Sequence, residues 1–222
     1  MRRMATKATK AKPHTSLESK LKEAQIRKAN AEALVAEFEA AEKAREDADH
    51  RASANQAKVY PFMGAVSAGS VQPCIATLGS WSRREPGCDI TIVFNSPGGN
   101  VIDGLALYDF IDELKANGHK ITTVARGMAA SMGGILLQAG DERIIGANAH
   151  ILIHEITTAM IGKFSEIEDE VAFCKMLQER LLNILAERST LTAKQIRTRW
   201  LRTDWWIGSE EAVALGFADE IG

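Results

Sequence analysis

The chain has 222 residues, of which 45% are hydrophobic and 25% are charged, and its formal net charge is −2. These are the values of an ordinary globular protein, and they exclude wholesale disorder and a membrane protein. No apolar run is long enough to span a bilayer and no apolar signal-peptide core follows the basic start, so we expect a cytoplasmic protein without a membrane partner.

The three cysteines, Cys74, Cys88 and Cys174, have neither the spacing of a zinc site nor that of a disulfide framework. We interpret them as reduced packing residues and expect no metal and no other cofactor. The small net charge offers no general attraction to nucleic acid, which we therefore do not expect as a partner.

Residues 1–58 have a composition of their own, with 13 basic and nine acidic side chains and neither proline nor glycine after Pro13. Ala, Glu, Lys and Arg favour helix, so we predict a long helical arm that begins with a Thr15–Glu18 capping box. The five basic side chains and no acidic ones in residues 1–13 predict a disordered tail that can touch an anionic surface.

The predicted arm helix has a thin apolar stripe. Apolar side chains recur at a 4,3 spacing that Lys28 interrupts, at Leu17, Leu21, Ala24, Ala31, Val35 and Phe38. Such a stripe fits a solvated arm and a helix that docks on a partner about equally.

Residues 59–222 alternate short apolar runs with helical patterns, which indicates βαβ units, a mainly parallel sheet and an α/β fold for one domain. Helix caps are predicted at Asp103 and at a Ser165–Glu168 pair, with Gly118 ending the first of these helices. The predicted strands lie near 59–66, 89–95, 120–126, 142–145 and 149–154, and the predicted helices near 71–84, 103–117, 131–139, 165–188, 193–201 and 210–215.

Ser131 is the candidate nucleophile. The run Ile121–Arg126 predicts a buried strand, Gly127–Ala130 a turn, and Ser131 the start of a helix. Unpaired N–H groups at a helix start can stabilise negative charge on a substrate oxygen. A simple N-cap serine explains the same position, so position alone does not decide.

The segment Asn95-Ser-Pro-Gly-Gly99 follows a predicted strand, at the sheet edge where open α/β folds bind ligands. Glycines there let the backbone approach a substrate closely, although Pro-Gly-Gly is also an ordinary tight turn. The patterns GxGxxG and GxxxxGK are both absent, which excludes the common nucleotide-binding loops.

A histidine and a carboxylate complete the candidate site. In a strand, His150 and His154 lie on one face about 13 Å apart, and His154 lies at the same sheet edge as Ser131. Asp204 lies in a loop beside two tryptophans. Sequence order alone does not prefer this carboxylate to three others, Asp141, Glu155 and Asp219.

Several motifs in one order resemble the proteolytic subunit of the Clp protease family, from Val59 to Ile221. They are Asn-Ser-Pro-Gly-Gly at 95–99, Ala-Ser-Met-Gly at 130–133, Ile-His at 153–154 and a Ser-Glu-Glu-Ala-Val stretch that leads to Asp219. The resemblance implies a Clp protease/crotonase-like ββα superhelix with a mainly parallel sheet, here preceded by the long helical arm.

Carried over residue by residue, the resemblance implies a Ser131–His154–Asp204 triad. It also implies an oxyanion hole made by the backbone N–H groups of Gly99 and Met132. Extended peptide would pair with the segments around these groups, for which the substrate-binding candidates are Gly98, Asn100, Val101 and Glu155.

The resemblance further implies a serine endopeptidase that cleaves peptides or unfolded proteins inside a homo-oligomer of heptameric rings. An ATP-driven unfoldase is the partner of the ATP-dependent type. The long arm resembles instead peptidases of bacteriophage head maturation, whose partners are capsid or scaffold proteins in the host cytoplasm. Glu155-Ile156 replaces the Gln-Pro that the family typically has after the histidine.

Two other functions are weighed against this one. A crotonase-like acyl-CoA hydratase or isomerase shares the fold and the backbone oxyanion hole, but needs no activated serine. A catalytically inactive structural or assembly subunit needs no triad, and the intact set of candidate residues speaks against it.

Overall fold

The computed structural model describes residues 17–54 and 57–222, with side chains described for 19–45 and 57–222. These residues belong to two compact units, divided between Gln56 and Ala57. The Thr15 half of the predicted capping box and the basic tail lie outside the described residues. None of the helices in the described part of the chain is both long and apolar enough to cross a membrane.

The described residues of the first unit form helix α1 (Leu17–Ala54), which confirms the predicted helical arm. Its i,i+4 ion pairs, Arg27–Glu23 at 3.6 Å and Lys28–Glu32 at 3.7 Å, are exposed. The apolar side chains of the described part are exposed as well, Leu21, Leu34, Val35 and Phe38 among them. Over residues 19–45, whose side chains are described, the helix therefore leaves its apolar stripe exposed.

The second unit, Ala57–Gly222, alternates strands with helices as predicted. Its elements are β1 (Lys58–Met63), α2 (Ala68–Arg84), β2 (Ile90–Ser96), α3 (Val101–Ala116), β3 (Ile121–Ala130), α4 (Met132–Leu137), β4 (Glu142–Ile145), β5 (His150–Ile153), α5 (Phe164–Glu187), α6 (Ala193–Trp200), β6 (Trp205–Gly208), α7 (Ser209–Ala214) and β7 (Glu220–Ile221).

The seven strands form one sheet in which β1, β2, β3, β4 and β7 are parallel neighbours in that order. Strand β5 pairs in parallel with the end of β3, and β6 pairs with β5 in the antiparallel sense. This mainly parallel sheet with its helices confirms the predicted α/β fold class. The short strands β6 and β7 have no predicted counterpart.

Strand β3 is longer than predicted and bends. A turn was expected to start at Gly127. Instead, Gly127 has a φ of +71° at a shift in the β2–β3 register, and strand pairing resumes at Met128, opposite β5. The residues before the shift pair with β2 and β4, whereas Met128–Ala130 pair with β5. A bulge of this kind redirects a strand without ending it, so β3 carries the chain directly to Ser131.

Two predicted helix caps are wrong. Helix α3 begins earlier than expected because the Asn100 side chain accepts a hydrogen bond from the Asp103 N–H, so Asp103 lies inside the first turn. Helix α5 begins at Phe164, where Glu166 accepts the Lys163 N–H at 2.9 Å. Both helices thus start one to two residues ahead of the predicted cap, and Gly118, with φ +89°, follows the end of α3 as expected.

The core is a single cluster of buried side chains between the sheet and its helices. All six residues of α4 are buried, which fixes the helix that follows Ser131. The three cysteines are free, and burial raises the pKa of the Cys74 thiol to about 12, which leaves it protonated at neutral pH. This fits the predicted packing role.

Arg143 on β4 ties the chain's last segment to the core. Its side chain is 6% exposed. It donates to Asp219 Oδ2 at 3.0 Å, to Gln138 Oε1 at 2.8 Å and to the carbonyls of Arg188 and Gly216. Burial alone would raise the pKa of Asp219, but the hydrogen bonds and charge of Arg143 lower it overall.

We predict that Arg143→Ala lowers the free energy of unfolding by roughly 2–4 kcal/mol, because it leaves buried acceptors without a donor. Urea denaturation at several pH values measures this. The lowered pKa of Asp219 stabilises the fold above the ordinary value of 3.8, so the deficit should shrink as the pH falls below that value. Lys120→Ala, at the exposed Glu142 pair, is the control and should change little.

Candidate active site

Ser131 sits between β3 and α4 in a backbone conformation that is rare for a residue with a side chain. Its φ is +53° and its ψ is −122°. Its hydroxyl makes no capping hydrogen bond, although its carbonyl accepts from the N–H of Gly134. Strain of this kind costs about 1–3 kcal/mol and persists where surrounding structure imposes it, as at functional sites. The hydroxyl is therefore available for other contacts.

The backbone of Ser131 is tied to the strand that leads to the candidate histidine. Its N–H donates to the Leu152 carbonyl at 2.8 Å, and β3 pairs with β5 over the residues just before. His154 follows Leu152 by two positions. The β3–β5 pairing thus brings Ser131 and His154 to the same edge of the sheet.

The Gly98–Gly99 loop lies directly against Ser131. A Cβ atom on Gly98 would lie 2.5 Å from Ser131 Cβ and 2.7 Å from the Ala130 carbonyl oxygen. A Cβ atom on Gly99 would overlap the Val66 carbonyl and lie 2.9 Å from the Val66 nitrogen. Both glycines also have positive φ, +89° and +151°, so only glycine fits here without a shift of the loop.

The two predicted oxyanion donors lie beside this contact. Val66 accepts from the Asn100 N–H and donates to the Gly98 carbonyl, both at 2.8 Å, so this bridge does not use the intervening Gly99 N–H. Met132 is the first residue of α4, and the N–H groups of a first helical turn have no acceptor within the helix. A Cβ atom on Gly98 would lie 3.0 Å from the Met132 nitrogen, which places the loop against that N–H.

His154 and Asp204 face each other just beyond the end of the β5–β6 ladder. The last ladder pair is Ile153 with Trp205, and the next residues are His154 and Asp204. His154 Nδ1 lies 4.0 Å from Asp204 Oδ1, with the histidine side chain 22% exposed and the aspartate 69% exposed. His150 pairs with Gly208 at the other end of the ladder and is exposed.

The three other carboxylates are engaged elsewhere. Asp141 accepts the Ile121 N–H at 2.8 Å, near the opposite edge of the sheet. Asp219 binds Arg143, and Glu155 accepts the Arg202 N–H at 2.9 Å. Within residues 57–222, Asp204 is the carboxylate within 4.0 Å of a His154 ring nitrogen.

A cavity of about 220 Å³ lies beside Ser131 and His154, and Asp204 is not among its lining residues. Ser131, His154 and Gly99 line it together with the predicted substrate-binding residues Val101 and Glu155. Its other lining side chains are mainly apolar: Met132, Ile135, Ile156, Leu181, Leu185 and Trp200. A serine at a strand-to-helix junction, a histidine and glycine-rich backbone around one cavity have the layout of a serine hydrolase.

Sequence reasoning missed the residues that shape this cavity and the loop behind it. Leu181, Leu185 and Trp200 come from α5 and α6, and only the helical spacing of the two leucines hinted at a shared face. The contact between Glu155 and Arg202 joins positions 47 residues apart and left no sequence signal. Asn100 turned out to cap α3 and to bind Val66 through its N–H.

Comparison with known proteins agrees with this layout. The family model described as Clp protease matches residues 42–222. The ATP-dependent Clp protease proteolytic subunit 2 of Tropheryma whipplei (strain Twist) is 37% identical over 139 residues, which cover 62% of this chain and 75% of that protein. The protein of the same name from Chlamydia trachomatis serovar D is 37% identical over 149 residues, 66% of this chain and 71% of the relative.

The chain therefore belongs to the Clp protease family, and the resemblance inferred from its motifs is confirmed. Membership in this family supports a serine-type peptidase activity.

We predict that Gly99→Ala displaces the loop beside Ser131, because the new Cβ would overlap the Val66 carbonyl. The variant should unfold at a lower temperature than the parent and lose most of any reaction at Ser131. Gly64→Ala is the matched control, since Gly64 also has a positive φ, +93°, but open space around its Cβ position. Equal melting temperatures and activities in the two variants would contradict the close approach.

Proposed function

We propose that this protein is a serine endopeptidase that uses Ser131 as nucleophile, His154 as general base and Asp204 as the group that orients the histidine. The observation that carries the proposal is that Ser131, His154 and Gly99 line one and the same cavity. The strained Ser131 backbone and the approach of Gly98 support it further.

In the proposed reaction His154 Nε2 takes the Ser131 hydroxyl proton while Oγ bonds to the scissile carbonyl carbon. The carbonyl oxygen becomes an oxyanion, which the N–H groups of Gly99 and Met132 stabilise. The carbon–nitrogen bond then breaks as His154 returns the proton to the leaving amine. Water, deprotonated by His154, hydrolyses the acyl-enzyme and restores Ser131.

Asp204 has to move closer to take part in this cycle. Its 4.0 Å separation from His154 Nδ1 exceeds the roughly 2.7–3.2 Å of a hydrogen bond, so the two atoms must approach by about 1 Å. Catalytic hydrogen bonds are often long before substrate binds and shorten in the reacting complex. The exposed loop that carries Asp204 can supply such a small displacement.

The cavity wall favours peptides with an apolar side chain next to the cleaved bond. Met132, Ile135, Leu181 and Leu185 present aliphatic surface beside Ser131. Burial of such a side chain there is stabilised by about 25 cal/mol per Å² of apolar surface. Short peptides with Leu or Met before the cleaved bond are accordingly the substrates of choice for the assays below.

We predict that Ser131→Ala leaves the fold intact but lowers peptide hydrolysis by at least three orders of magnitude, because triad members act as a unit. His154→Ala should be similarly damaging. His150→Ala, at the far end of β5, is the control and should retain most activity. Fluorogenic peptide turnover and circular dichroism measure these outcomes.

Labelling with a fluorophosphonate separates this proposal from an acyl-CoA hydratase and from an inactive subunit, since both lack an activated serine. The parent protein should be labelled at Ser131, and the Ser131→Ala variant should not. Normal turnover by folded Ser131→Ala protein would rule out the mechanism.

We further propose that the peptidase works as a ring-shaped homo-oligomer, with heptamers as the family resemblance implies. Helix α5 supports this. Leu181, Leu182, Ile184 and Leu185 near its C-terminal end are buried within the subunit, while Phe164 and Phe173 in its N-terminal half and Met176 at its middle are exposed. Exposed apolar side chains on a helix whose other end is buried are suited to a contact with another subunit. Light scattering at micromolar concentration should give the mass of a ring, and a fully active monomer would contradict this.

Helix α1 is proposed to act on partners or substrates rather than on the chemistry, because no candidate site residue lies in residues 1–56. The partners proposed are an ATP-driven unfoldase for the ATP-dependent type, or capsid and scaffold proteins for the phage type.

We predict that deletion of residues 1–56 preserves cleavage of a short peptide and changes cleavage of an unfolded protein by severalfold. The full-length and truncated proteins are to be compared on both substrates at low and high salt, because exposed charges are screened by salt. Identical rates, oligomer size and partner recovery would show that α1 is an inert, solvated extension.

A further inference from the structure

The loop that carries Asp204 has few contacts of its own. It spans the four residues 201–204 between α6 and β6. Its hydrogen bonds to α6 are local: Leu201 N–H donates to the Arg197 carbonyl at 3.2 Å and Thr203 N–H to the Trp200 carbonyl at 3.1 Å. Within residues 57–222 the Asp204 carboxylate accepts no hydrogen bond and is 69% exposed. Its position must therefore be set by the backbone of the loop.

One contact from a distant part of the chain does hold that backbone. The Glu155 Oε2 atom accepts the Arg202 N–H at 2.9 Å, and Arg202 has a φ of +55°. A left-handed conformation is disfavoured for a residue with a side chain and persists where neighbouring structure imposes it. Hydrogen bonds to an ionised carboxylate are shorter and stronger than neutral ones. Glu155 is thus suited to keep Arg202 in this conformation.

The Glu155–Arg202 hydrogen bond lies next to the His154–Asp204 pair. Backbone pairing between β5 and β6 ends at Ile153 with Trp205. His154 and Asp204 come next, and the Glu155–Arg202 hydrogen bond follows on the far side. The His154–Asp204 pair is therefore bracketed by the ladder on one side and by the Glu155 carboxylate on the other.

We infer that Glu155 is a positioning residue that fixes the 201–204 loop so that Asp204 faces His154. This role rests on the proposed serine peptidase function and goes beyond it. It differs from substrate binding by Glu155, for which the side chain also has a suitable place in the cavity wall. A positioning residue acts only through Asp204, whereas a substrate contact acts whether or not Asp204 is present.

The test is a double-mutant cycle between Glu155→Met and Asp204→Ala, with peptide turnover and the rate of Ser131 labelling by a fluorophosphonate as the two readouts. Methionine keeps the length of glutamate but has no strong acceptor. We expect Glu155→Met to lower kcat by about 10- to 100-fold with KM changed less than about twofold. In the Asp204→Ala background the same substitution should have no further effect.

Glu155→Gln is the conservative rescue, because its amide oxygen can accept the Arg202 N–H. It should retain kcat within about threefold of the parent, since one acceptor is exchanged for another. Glu113→Met, at an exposed position on α3, is the control for loss of a glutamate and should keep parental kinetics. Thermal melts show whether each variant is folded. If Glu155→Met is unfolded, Glu155→Ala takes its place in the cycle and is compared with Glu155→Gln.

Two other outcomes overturn the inference. If Glu155→Met raises KM, or lowers kcat equally in both backgrounds, Glu155 contacts the substrate and does not act through Asp204. If Glu155→Met matches the parent, the loop needs no such contact. Failure of the proposed function is distinct, because it would appear as parental activity in Asp204→Ala or Ser131→Ala, before Glu155 is considered.

Discussion

The contact between Gly98 and Ser131 is the constraint on which the rest of the site depends. Ser131 holds a positive φ while the Gly98 backbone lies so close that a Cβ atom would come within 2.5 Å of Ser131 Cβ. This packing requires the C-terminal ends of β2 and β3 to lie side by side. The register shift near Gly127 achieves this by pairing Ser96 with Ala129. It also requires α4 to start at Met132, because the Met132 N–H lies against the Gly98–Gly99 loop. One backbone arrangement thereby positions the proposed nucleophile and the proposed oxyanion donors.

The histidine and the aspartate are positioned in a different way. Strand β5 pairs with β3 on one side and with β6 on the other, and the Ser131 N–H bond to Leu152 joins the two halves of the site. The Ser131 half is built from closely packed backbone, whereas Asp204 lies in an exposed loop. Loss of a buried hydrogen bond is costly, while an exposed loop moves readily, so the two halves differ in rigidity.

The sequence predicted what depends on local pattern and failed where distant residues decide. Alternation of strands and helices, the position of Ser131 after a strand and the separation of His150 from His154 all follow from periodicity, and the fold class is confirmed. The turn expected at Gly127 is a bulge because β5, which is distant in sequence, continues the pairing of β3. Asn100 caps α3 in place of Asp103, and β6 was missed because four residues with two tryptophans resemble a loop as much as a strand. The choice of Asp204 over other carboxylates needed the family motifs, since it depends on the β5–β6 register.

Because the two halves differ in rigidity, the adjustable part of this site is the distance between Asp204 and His154. Ser131, Gly98 and Val66 are linked by close packing and short backbone hydrogen bonds, so the proposed oxyanion hole needs no rearrangement of this backbone. Asp204 still has to approach His154 by about 1 Å, and the loop that carries it is bound at Arg202 by one long-range hydrogen bond. A contact that orders this loop, from substrate or from a neighbouring subunit, would therefore raise kcat more than it lowers KM under the proposed mechanism, because it completes the proposed triad without touching the apolar wall of the cavity.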